Sequence, residues 1–476
     1  MISTAKKIAK KQSLVVLFSG DKLHAQQLPG IDDHWMTLID DRMKASLVKE
    51  KEYVVFQTEL TAKAPRIALA NIGASDAVAN LRCLAGQLAR EFKKESGIQW
   101  ICVDGPSDWA FHVVQSIAMG LYKVPNQKSD EKPDNKPSKH LIITSEKTLV
   151  GHGEIVGEAV NKARSFANLP ANVLTTTQFV ADIKALFKGV KNVSVTVLNE
   201  AAMKKKNMHA LLGVGQGSMY PSYLVDISYN GGTGKPICIV GKGVMFDTGG
   251  ISLKPSHKMK EMKGDMGGAA AVVAAAWAVA QMGVKKKVSF IVPIVENMVS
   301  ATAQRPGDVV VASNGTSIEI TNTDAEGRLI LADALVYATK KKPSCLVDIA
   351  TLTGASVIAL GPYAISVLGN HQGVVDQLIA ASASYNERCW QLPLFDDYKD
   401  LLKSDVADVL NANEGREAGT ITAAKFLECF VDKLPWAHLD IASTMSVSGT
   451  KGDMVKGMTG AGTRALISFV NATLPV

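Results

Sequence analysis

Short apolar runs alternate with amphipathic stretches along the first 145 residues of the chain. The apolar runs are four to seven residues long, the length of buried strands, and they lie at residues 13–19, 53–57, 66–71, 100–104 and 141–144. Between them, residues 78–92 carry apolar side chains at helical spacing, with Ser75 or Asp76 as the predicted cap and Gly97 as the stop. This order predicts a parallel or mixed α/β layer.

After the first 124 residues the sequence pattern changes to a polar stretch and then to a helical one. Residues 125–140 are rich in Lys, Asp, Asn, Ser and Pro, which predicts a solvated loop, and a helix is predicted at 153–166. We place a domain boundary near residue 170 and predict three parts: an N-terminal α/β domain (1–150) serving assembly or regulation, a connecting helix (151–170) and a catalytic domain (171–476).

Strand and helix patterns continue to the end of the chain. Strands are predicted at 193–198, 224–229, 236–240, 288–295, 309–312, 317–321, 345–350, 364–368 and 438–441, with helices at 326–340, 374–387 and 420–432 among them. The glycine-rich residues 231–235 predict a hairpin turn between two of these strands. The predicted fold class is α/β, with a small N-terminal α/β domain and a larger C-terminal one whose central mixed sheet is flanked by helices.

The amino-acid composition limits which classes of protein the chain can belong to. Hydrophobic residues make up 47% and charged residues 20%, which is typical of a globular chain and excludes general disorder. The Ala-rich residues 267–283 are marginal for spanning a bilayer and favour a buried helix, so no membrane association is expected. Six scattered cysteines without a C-x-x-C pair indicate reduced thiols and a cytoplasmic protein. The net charge of +7 permits nucleic-acid binding, which is not expected.

Two polar segments follow predicted strands, where ligands bind open α/β sheets. The first carries Lys242, Asp247 and Lys254 among glycines, and Asp265 comes eleven residues later, before the Ala-rich helix. The second is residues 322–328, in which Asp324, Glu326 and Arg328 alternate, so that an extended backbone would aim all three side chains to one side.

Four clustered carboxylates, those of Asp247, Asp265, Asp324 and Glu326, stay ionised only if cations compensate them. Two divalent metals would do so, and a carboxylate-rich donor set suits Mn²⁺ or Mg²⁺ as well as Zn²⁺. Each segment alone also fits a structural role, as a helix N-terminus or as a glycine-rich turn. Their occurrence together in one domain favours a functional site.

The strings NTDAEGRLILADAL (322–335) and VGKGVMFDTGGISLKP (240–255) resemble the M17 leucyl aminopeptidases, or cytosol aminopeptidases. The resemblance extends through MKGDMGGAA, VGQGS, DIATLTGA and KGMTGAGTRAL, and covers the chain from Asn168 onwards. It implies a two-metal hydrolase that releases N-terminal amino acids, preferably leucine, from peptides with a free N-terminus. The nucleophile would be a water or hydroxide bridging the metals.

The resemblance also assigns residues. One metal would be held by Lys242, Asp247, Asp265 and Glu326, and a more exchangeable one by Asp247, Asp324 and Glu326. Lys254 and Arg328 would be catalytic: Lys254 would polarise the scissile carbonyl and contact substrate, and Arg328 would hold a bicarbonate that relays a proton. The implied substrate-binding residues are Met262, Thr351, Leu352, Gly354, Ala442 and Met445.

The same resemblance implies a homohexamer. Two other functions stay open from the sequence. Some bacterial members of the family double as DNA-binding regulators or recombination accessories, and a two-metal phosphoesterase would use the same donor chemistry.

Overall fold

The computed structural model describes residues 1–9, 12–20, 23, 26, 28–31, 33–45, 48–58, 64–129 and 138–472. The chain divides into two compact units. The N-terminal unit comprises Met1–Asn161 with Ser448–Lys456, and the C-terminal unit comprises Lys162–Val447 with Gly457–Val476. The predicted loop at 125–140 falls partly on residues 130–137, which lie outside the described residues, and its last two residues already belong to a strand.

The N-terminal unit contains one sheet with helices on both faces. Its elements are β1 (Ile2–Ala5), β2 (Ser13–Phe18), α1 (Asp33–Ala45), β3 (Tyr53–Gln57), β4 (Arg66–Asn71), α2 (Ala77–Glu91), β5 (Gly97–Val103), α3 (Trp109–Gly120), β6 (Lys139–Ile143) and α4 (Lys147–Asn168), which continues past the division. The strand order is β1-β6-β5-β2-β4-β3, and every pairing is parallel except that of β3 with β4.

Both faces of β2 are buried, which explains its uninterrupted apolar sequence. Val15 and Leu17 pack in the cluster that holds the apolar side of α2, whereas Leu14 and Val16 pack with Trp35 of α1. The predicted side-chain cap of α2 is wrong. Asp76 does precede the helix, but it has a left-handed backbone and makes no capping hydrogen bond.

One segment of the N-terminal unit comes from far along the chain. Within residues 448–456, the Asp453 carboxylate accepts hydrogen bonds from Arg82 and from Ser116 Oγ. Gly86 of α2 lies against the same segment, since a Cβ built on it would be 2.6 Å from Asp453 Cα. The unit is therefore assembled from two separate stretches of sequence.

The C-terminal unit is the larger of the two. Its elements are α5 (Thr176–Phe187), β7 (Val193–Leu198), α6 (Glu200–Lys204), α7 (His209–Gly215), β8 (Tyr223–Asn230), β9 (Ile237–Gly241), β10 (Gly243–Asp247), a 3-10 helix (Met259–Gly264), α8 (Gly267–Gln281), β11 (Lys287–Asn297), β12 (Val309–Val311), β13 (Ser317–Glu319), α9 (Glu326–Thr339), β14 (Cys345–Ala350), α10 (Gly354–Leu360), a 3-10 turn (Gly361–Tyr363), β15 (Ile365–Gly369), α11 (Gln372–Ser384), β16 (Cys389–Gln391), a 3-10 helix (Asp396–Leu402), β17 (Val409–Leu410), α12 (Gly419–Glu428), β18 (Trp436–Asp440), β19 (Ser446–Val447), β20 (Gly457–Met458) and α13 (Thr463–Ala472).

Nine strands form the central mixed sheet, in the order β16-β15-β18-β14-β9-β11-β8-β7, with β10 also paired to β11. This architecture confirms the predicted fold class. The predicted hairpin between β8 and β9 is wrong, because β11 lies between them, antiparallel to β8 and parallel to β9. The apolar strand β9 is fully buried at the centre of the sheet and needs a partner on each side, and it finds them in β11 and β14.

The Ala-rich stretch forms α8, which packs closely on the sheet and is mostly buried. A Cβ on Gly268 would lie 2.2 Å from the Ile349 carbonyl oxygen, so only glycine permits this approach. Among the described residues, no helix combines the length and apolar character needed to cross a membrane.

Candidate active site

The carboxyl ends of parallel strands meet at one edge of the central sheet. β9, β11, β14 and β18 run in the same direction, and β10 is parallel to β11. Lys242 directly follows β9, Asp247 ends β10, and Thr351 directly follows β14. Polar residues from separate parts of the chain therefore converge where α/β sheets bind their ligands.

Three carboxylates form a buried cluster at this edge. Asp247, Asp265 and Glu326 each offer an oxygen, and these oxygens lie within 4.8 Å of one another. Asp265 directly follows the 3-10 helix that precedes α8, and Glu326 is the first residue of α9. The expectation of an extended backbone from Asp324 to Arg328 is wrong, because α9 already begins at Glu326.

Two lysines carry the positive charge of the cluster. Lys242 Nζ lies 2.9 Å from Asp265 Oδ1 and 2.8 Å from Glu326 Oε1, and it donates a hydrogen bond to the Thr351 carbonyl. Lys254 Nζ lies 2.7 Å from Asp247 Oδ2 and also contacts the Asp324 carboxylate. Two ammonium groups against four carboxylates leave a net negative charge.

Burial and this charge imbalance together shift the pKa values of the site. Burial raises the pKa of Asp265 well above its ordinary value, and Glu326 and Asp247 add to the rise although Lys242 opposes it. Burial likewise raises the pKa of Asp324 to about 6. For Lys242, burial lowers the pKa, but the surrounding carboxylates outweigh it and the net direction is upward. The site thus favours added positive charge.

The donor set fits divalent metal ions. Asp265 Oδ2 is buried and has no hydrogen-bond partner among the described residues, so a buried anionic oxygen remains uncompensated. Carboxylate oxygens are ligands for Mn²⁺ and Mg²⁺ and also bind Zn²⁺. Asp247, Asp265 and Glu326 could hold such an ion, with Asp324 beside them.

Supporting residues that the sequence did not reveal orient Asp247. Its Oδ1 accepts hydrogen bonds from Gly249 N and from Asn297 Nδ2, both at 2.8 Å. Asn297 also donates to the Thr323 carbonyl, and Thr323 Oγ1 donates to the Gly249 carbonyl. Asn297 ends the apolar strand β11, and a polar residue at a strand end was the signal that could have identified it.

A cavity of about 360 Å³ opens beside the acidic cluster. All the predicted metal-binding and substrate-binding residues line it: Lys242, Asp247, Lys254, Asp265, Asp324 and Glu326 on the charged side, and Met262, Thr351, Leu352, Gly354, Ala442 and Met445 elsewhere. The other lining residues are Pro255, His257, Lys258, Met259, Thr353 and Val357.

Asp440 holds two walls of this cavity together, although no pattern in the sequence indicates this role. Its Oδ1 accepts hydrogen bonds from the backbone N–H groups of Leu352 and Ala442, and its Oδ2 accepts one from Thr353 Oγ1 at 2.6 Å. Asp440 is fully buried at the end of β18. A single carboxylate thereby fixes the loops that follow β14 and β18.

Arg328 lies apart from the lining residues. Its Nη1 donates to the Asn411 carbonyl at 2.8 Å, and its buried Nε has no partner among the described residues. Burial lowers the pKa of Arg328 to about 10, against the opposing influence of Glu326 and Asp440. The guanidinium therefore has a buried N–H donor without a partner among the described residues.

A buried carboxylate cluster at the carboxyl edge of an α/β sheet is a site of the kind that metal-dependent hydrolases use. Residues 161–467 match the model of the cytosol aminopeptidase family, catalytic domain. The chain belongs to this family.

Individual relatives are similar to this protein over most of its chain. A probable cytosol aminopeptidase of Syntrophotalea carbinolica is 40% identical over 447 residues, 90% of each protein. A cytosol aminopeptidase of Encephalitozoon cuniculi is 44% identical over 364 residues, 76% of this chain and 74% of that protein. The bottromycin maturation enzyme BotP, solved in complex with Mn, superposes with a TM-score of 0.85 at 32% identity, covering 98% of this chain and 99% of that one.

The protein is therefore an enzyme, a hydrolase of the metallo-exopeptidase class with aminopeptidase activity on peptides. This confirms the predicted family and enzyme class. The comparisons do not favour the DNA-binding alternative. The family is metal-dependent, and the structural relative with bound Mn agrees with the buried acidic cluster.

Proposed function

We propose that the enzyme is a two-metal aminopeptidase that releases N-terminal amino acids, preferably leucine. The observation that carries this proposal is the buried carboxylate cluster with its uncompensated oxygen, placed at the charged end of a cavity whose other walls are partly apolar. Such a cavity separates a polar end that reacts from an apolar part that selects a side chain.

The proposed ligands of the two metals are Lys242, Asp247, Asp265, Asp324 and Glu326. Two divalent ions there would lower the pKa of a water molecule and polarise a substrate carbonyl. Lys242 can act as a ligand only after Nζ releases its proton, which a nearby cation favours by repulsion. Asp247 would serve as a ligand through its carboxylate, whose two oxygens have different partners in the structure.

Lys254 and Arg328 are the proposed catalytic residues. Lys254 is one-fifth exposed, lines the cavity and carries a protonated amine, because the carboxylates around it raise its pKa in spite of burial. It can therefore donate to the oxyanion that develops on the scissile carbonyl. The Nε–H of Arg328 has no partner among the described residues and could donate a hydrogen bond to a bicarbonate ion.

The selectivity for leucine rests on Met262, Thr351, Leu352, Gly354, Ala442 and Met445. No atom lies within 4 Å of a Cβ built on Gly354, so this part of the cavity has open space for a side chain. Methionine adapts its shape to an apolar guest, so a wall that contains Met262 and Met445 suits leucine or methionine.

We also propose, from the family resemblance, a homohexamer in the cytoplasm. The six cysteines are all free in the structure, which supports a reducing compartment. Sedimentation would test the assembly directly.

The proposal is tested with the purified wild-type chain before and after chelation. We expect leucyl anilide to be hydrolysed, the activity to vanish with a chelator and to return with Mn²⁺, and metal analysis to find two ions per subunit. Release of phosphate from a monoester, without release of leucine, would instead identify a phosphoesterase. A gel shift on DNA that resists competitor and weakens with salt would support the DNA-binding alternative.

A further inference from the structure

A tight turn at residues 256–259 forms part of the cavity wall. The Met259 N–H donates to the Ser256 carbonyl at 3.1 Å, which closes the turn. Lys258, at its third position, has φ 61° and ψ 7°, a left-handed conformation that glycine or asparagine normally supplies in such turns. Unfavourable backbone conformations in non-glycine residues concentrate at binding sites, where the side chain has a use.

The cavity can be divided by what its walls contact. The acidic cluster with Lys242 and Lys254 would receive the α-amine and the scissile carbonyl, and the pocket from Met262 to Met445 would receive the first side chain. Pro255, His257, Lys258, Met259, Thr353 and Val357 then remain for the part of the peptide beyond the scissile bond. The Thr353 hydroxyl already donates to Asp440 Oδ2. Among these remaining lining residues, Lys258 and His257 are the groups that can carry charge.

We propose that His257 and Lys258 bind a carboxylate on the residue that leaves. The substrate class favoured by this turn is peptides with a carboxylate directly after the scissile bond. That carboxylate is either the C-terminus of a dipeptide or the side chain of an aspartate or glutamate at the second position. This inference rests on the proposed aminopeptidase function and adds a specificity to the same cavity.

The dimensions and charges agree with this assignment. Two residues of extended chain span about 7 Å, so the carboxylate of a dipeptide stays within a cavity of this size. The turn begins two residues after Lys254, which places it next to the group proposed to hold the scissile carbonyl. An exposed ammonium paired with a carboxylate changes binding by about fivefold or less, so we expect a preference rather than an absolute requirement.

The experiment compares four substrates with the Mn²⁺-loaded enzyme: Leu-Ala, Leu-Ala amide, Leu-Asp amide and Leu-Asn amide. The first pair reports on a C-terminal carboxylate and the second on a side-chain carboxylate. We expect the wild type to have the higher kcat/KM for the charged member of at least one pair. Lys258→Gly should reduce that ratio by about fivefold. Lys258→Met, which keeps the chain length, and His257→Ala should reduce it too.

Lys342→Gly is the matched control. Lys342 is also an exposed lysine with a left-handed backbone (φ 52°), and it does not line the cavity. Both glycine variants should raise Tm by relieving the backbone, but only Lys258→Gly should change the substrate ratio. Equal ratios for wild type, Lys258→Gly and Lys258→Met would overturn the inference. If the wild type cleaves none of the four substrates, the aminopeptidase proposal fails instead.

Discussion

Gly327 leaves the space that the side chain of Lys242 occupies. A Cβ built on Gly327 would lie 2.6 Å from Lys242 Cε and 2.7 Å from its Nζ. Gly327 is the second residue of α9, directly after Glu326, so the helix backbone and the lysine touch at the acidic cluster. Lys242 cannot move aside easily, because it is buried and held by Asp265, Glu326 and the Thr351 carbonyl.

Gly327→Ala should therefore displace the Lys242 amine from the cluster. We expect metal affinity and leucyl-anilide hydrolysis to fall by at least ~10-fold, the usual effect of disturbing the support of a metal ligand. Gly151→Ala is the control, since nothing lies within 4 Å of a Cβ at that helical position. Metal titration of both variants checks the prediction, and wild-type affinity in Gly327→Ala would contradict the role of Lys242.

Asp265→Ala should lose metal. The substitution removes a buried carboxylate whose Oδ2 has no partner among the described residues and leaves Lys242 with one anionic contact fewer. Metal analysis after dialysis should find less than two ions per subunit, with hydrolysis lost in parallel. Asp376→Ala, an exposed aspartate of α11, should keep both. Two ions in Asp265→Ala would show that the coordination scheme is wrong.

Lys254→Ala should impair the reaction while metal remains bound. Loss of an oxyanion donor typically lowers kcat by at least ~10²-fold. The metal content should stay near that of the wild type, since Lys254 is proposed to act on the substrate. Lys260→Ala, an exposed lysine that does not line the cavity, serves as the comparison. Steady-state kinetics of both variants measure the effect on kcat. A kcat close to wild type in Lys254→Ala would count against the proposed role of Lys254 as an oxyanion donor.

Asp333 should make stability depend on pH. Burial raises its pKa to about 6 in the folded protein, although two backbone N–H groups, of Leu211 and Ser313, oppose the rise. A raised folded-state pKa stabilises the protein below the unfolded pKa, and the contribution is lost as pH rises through about 6. The stability of wild type relative to Asp333→Asn should therefore fall by about 2 kcal/mol between pH 4 and pH 7.

Urea unfolding of both chains at the two pH values measures this difference, because the other titrating groups cancel between them. A difference that is constant with pH would mean that Asp333 does not titrate in this range.

Much of the fold could be predicted from apolar runs. β3, β4, β7 and β14 are predicted at their observed bounds. β4 and β14 are almost wholly buried and read as apolar runs, whereas β3 and β7 are only partly buried but carry two and three valines. The half-buried strand β1 and the amphipathic helices α1 and α5 were missed, since their polar residues mask the pattern. The position of β11 between β8 and β9 depends on pairing across the sheet, which local periodicity does not contain.

Some residues of the site could likewise be predicted from the sequence, and others could not. The sequence predicts Asp247, Asp265 and Glu326 as site residues because they are charged and lie at strand and helix ends, and the structure brings them together. It does not predict Asn297 and Asp440, because a single polar residue ending an apolar strand is common and its hydrogen bonds depend on loops distant in sequence. The turn at Lys258 was likewise invisible, since a left-handed lysine has no signature in the sequence.

The return of residues 448–456 to the N-terminal unit affects how the chain can be made and divided. Arg82 and Ser116 meet Asp453 only after residue 453 has left the ribosome, so the part that is synthesised first is completed nearly last. Expressing residues 1–161 alone would omit a strip against which Gly86 is shaped. A fragment of residues 162–476 would contain residues 448–456 but would lack α2, against which they pack. Neither fragment therefore corresponds to a complete structural unit. Proteolysis at residue 161 would leave residues 448–456 of the N-terminal unit on the C-terminal fragment.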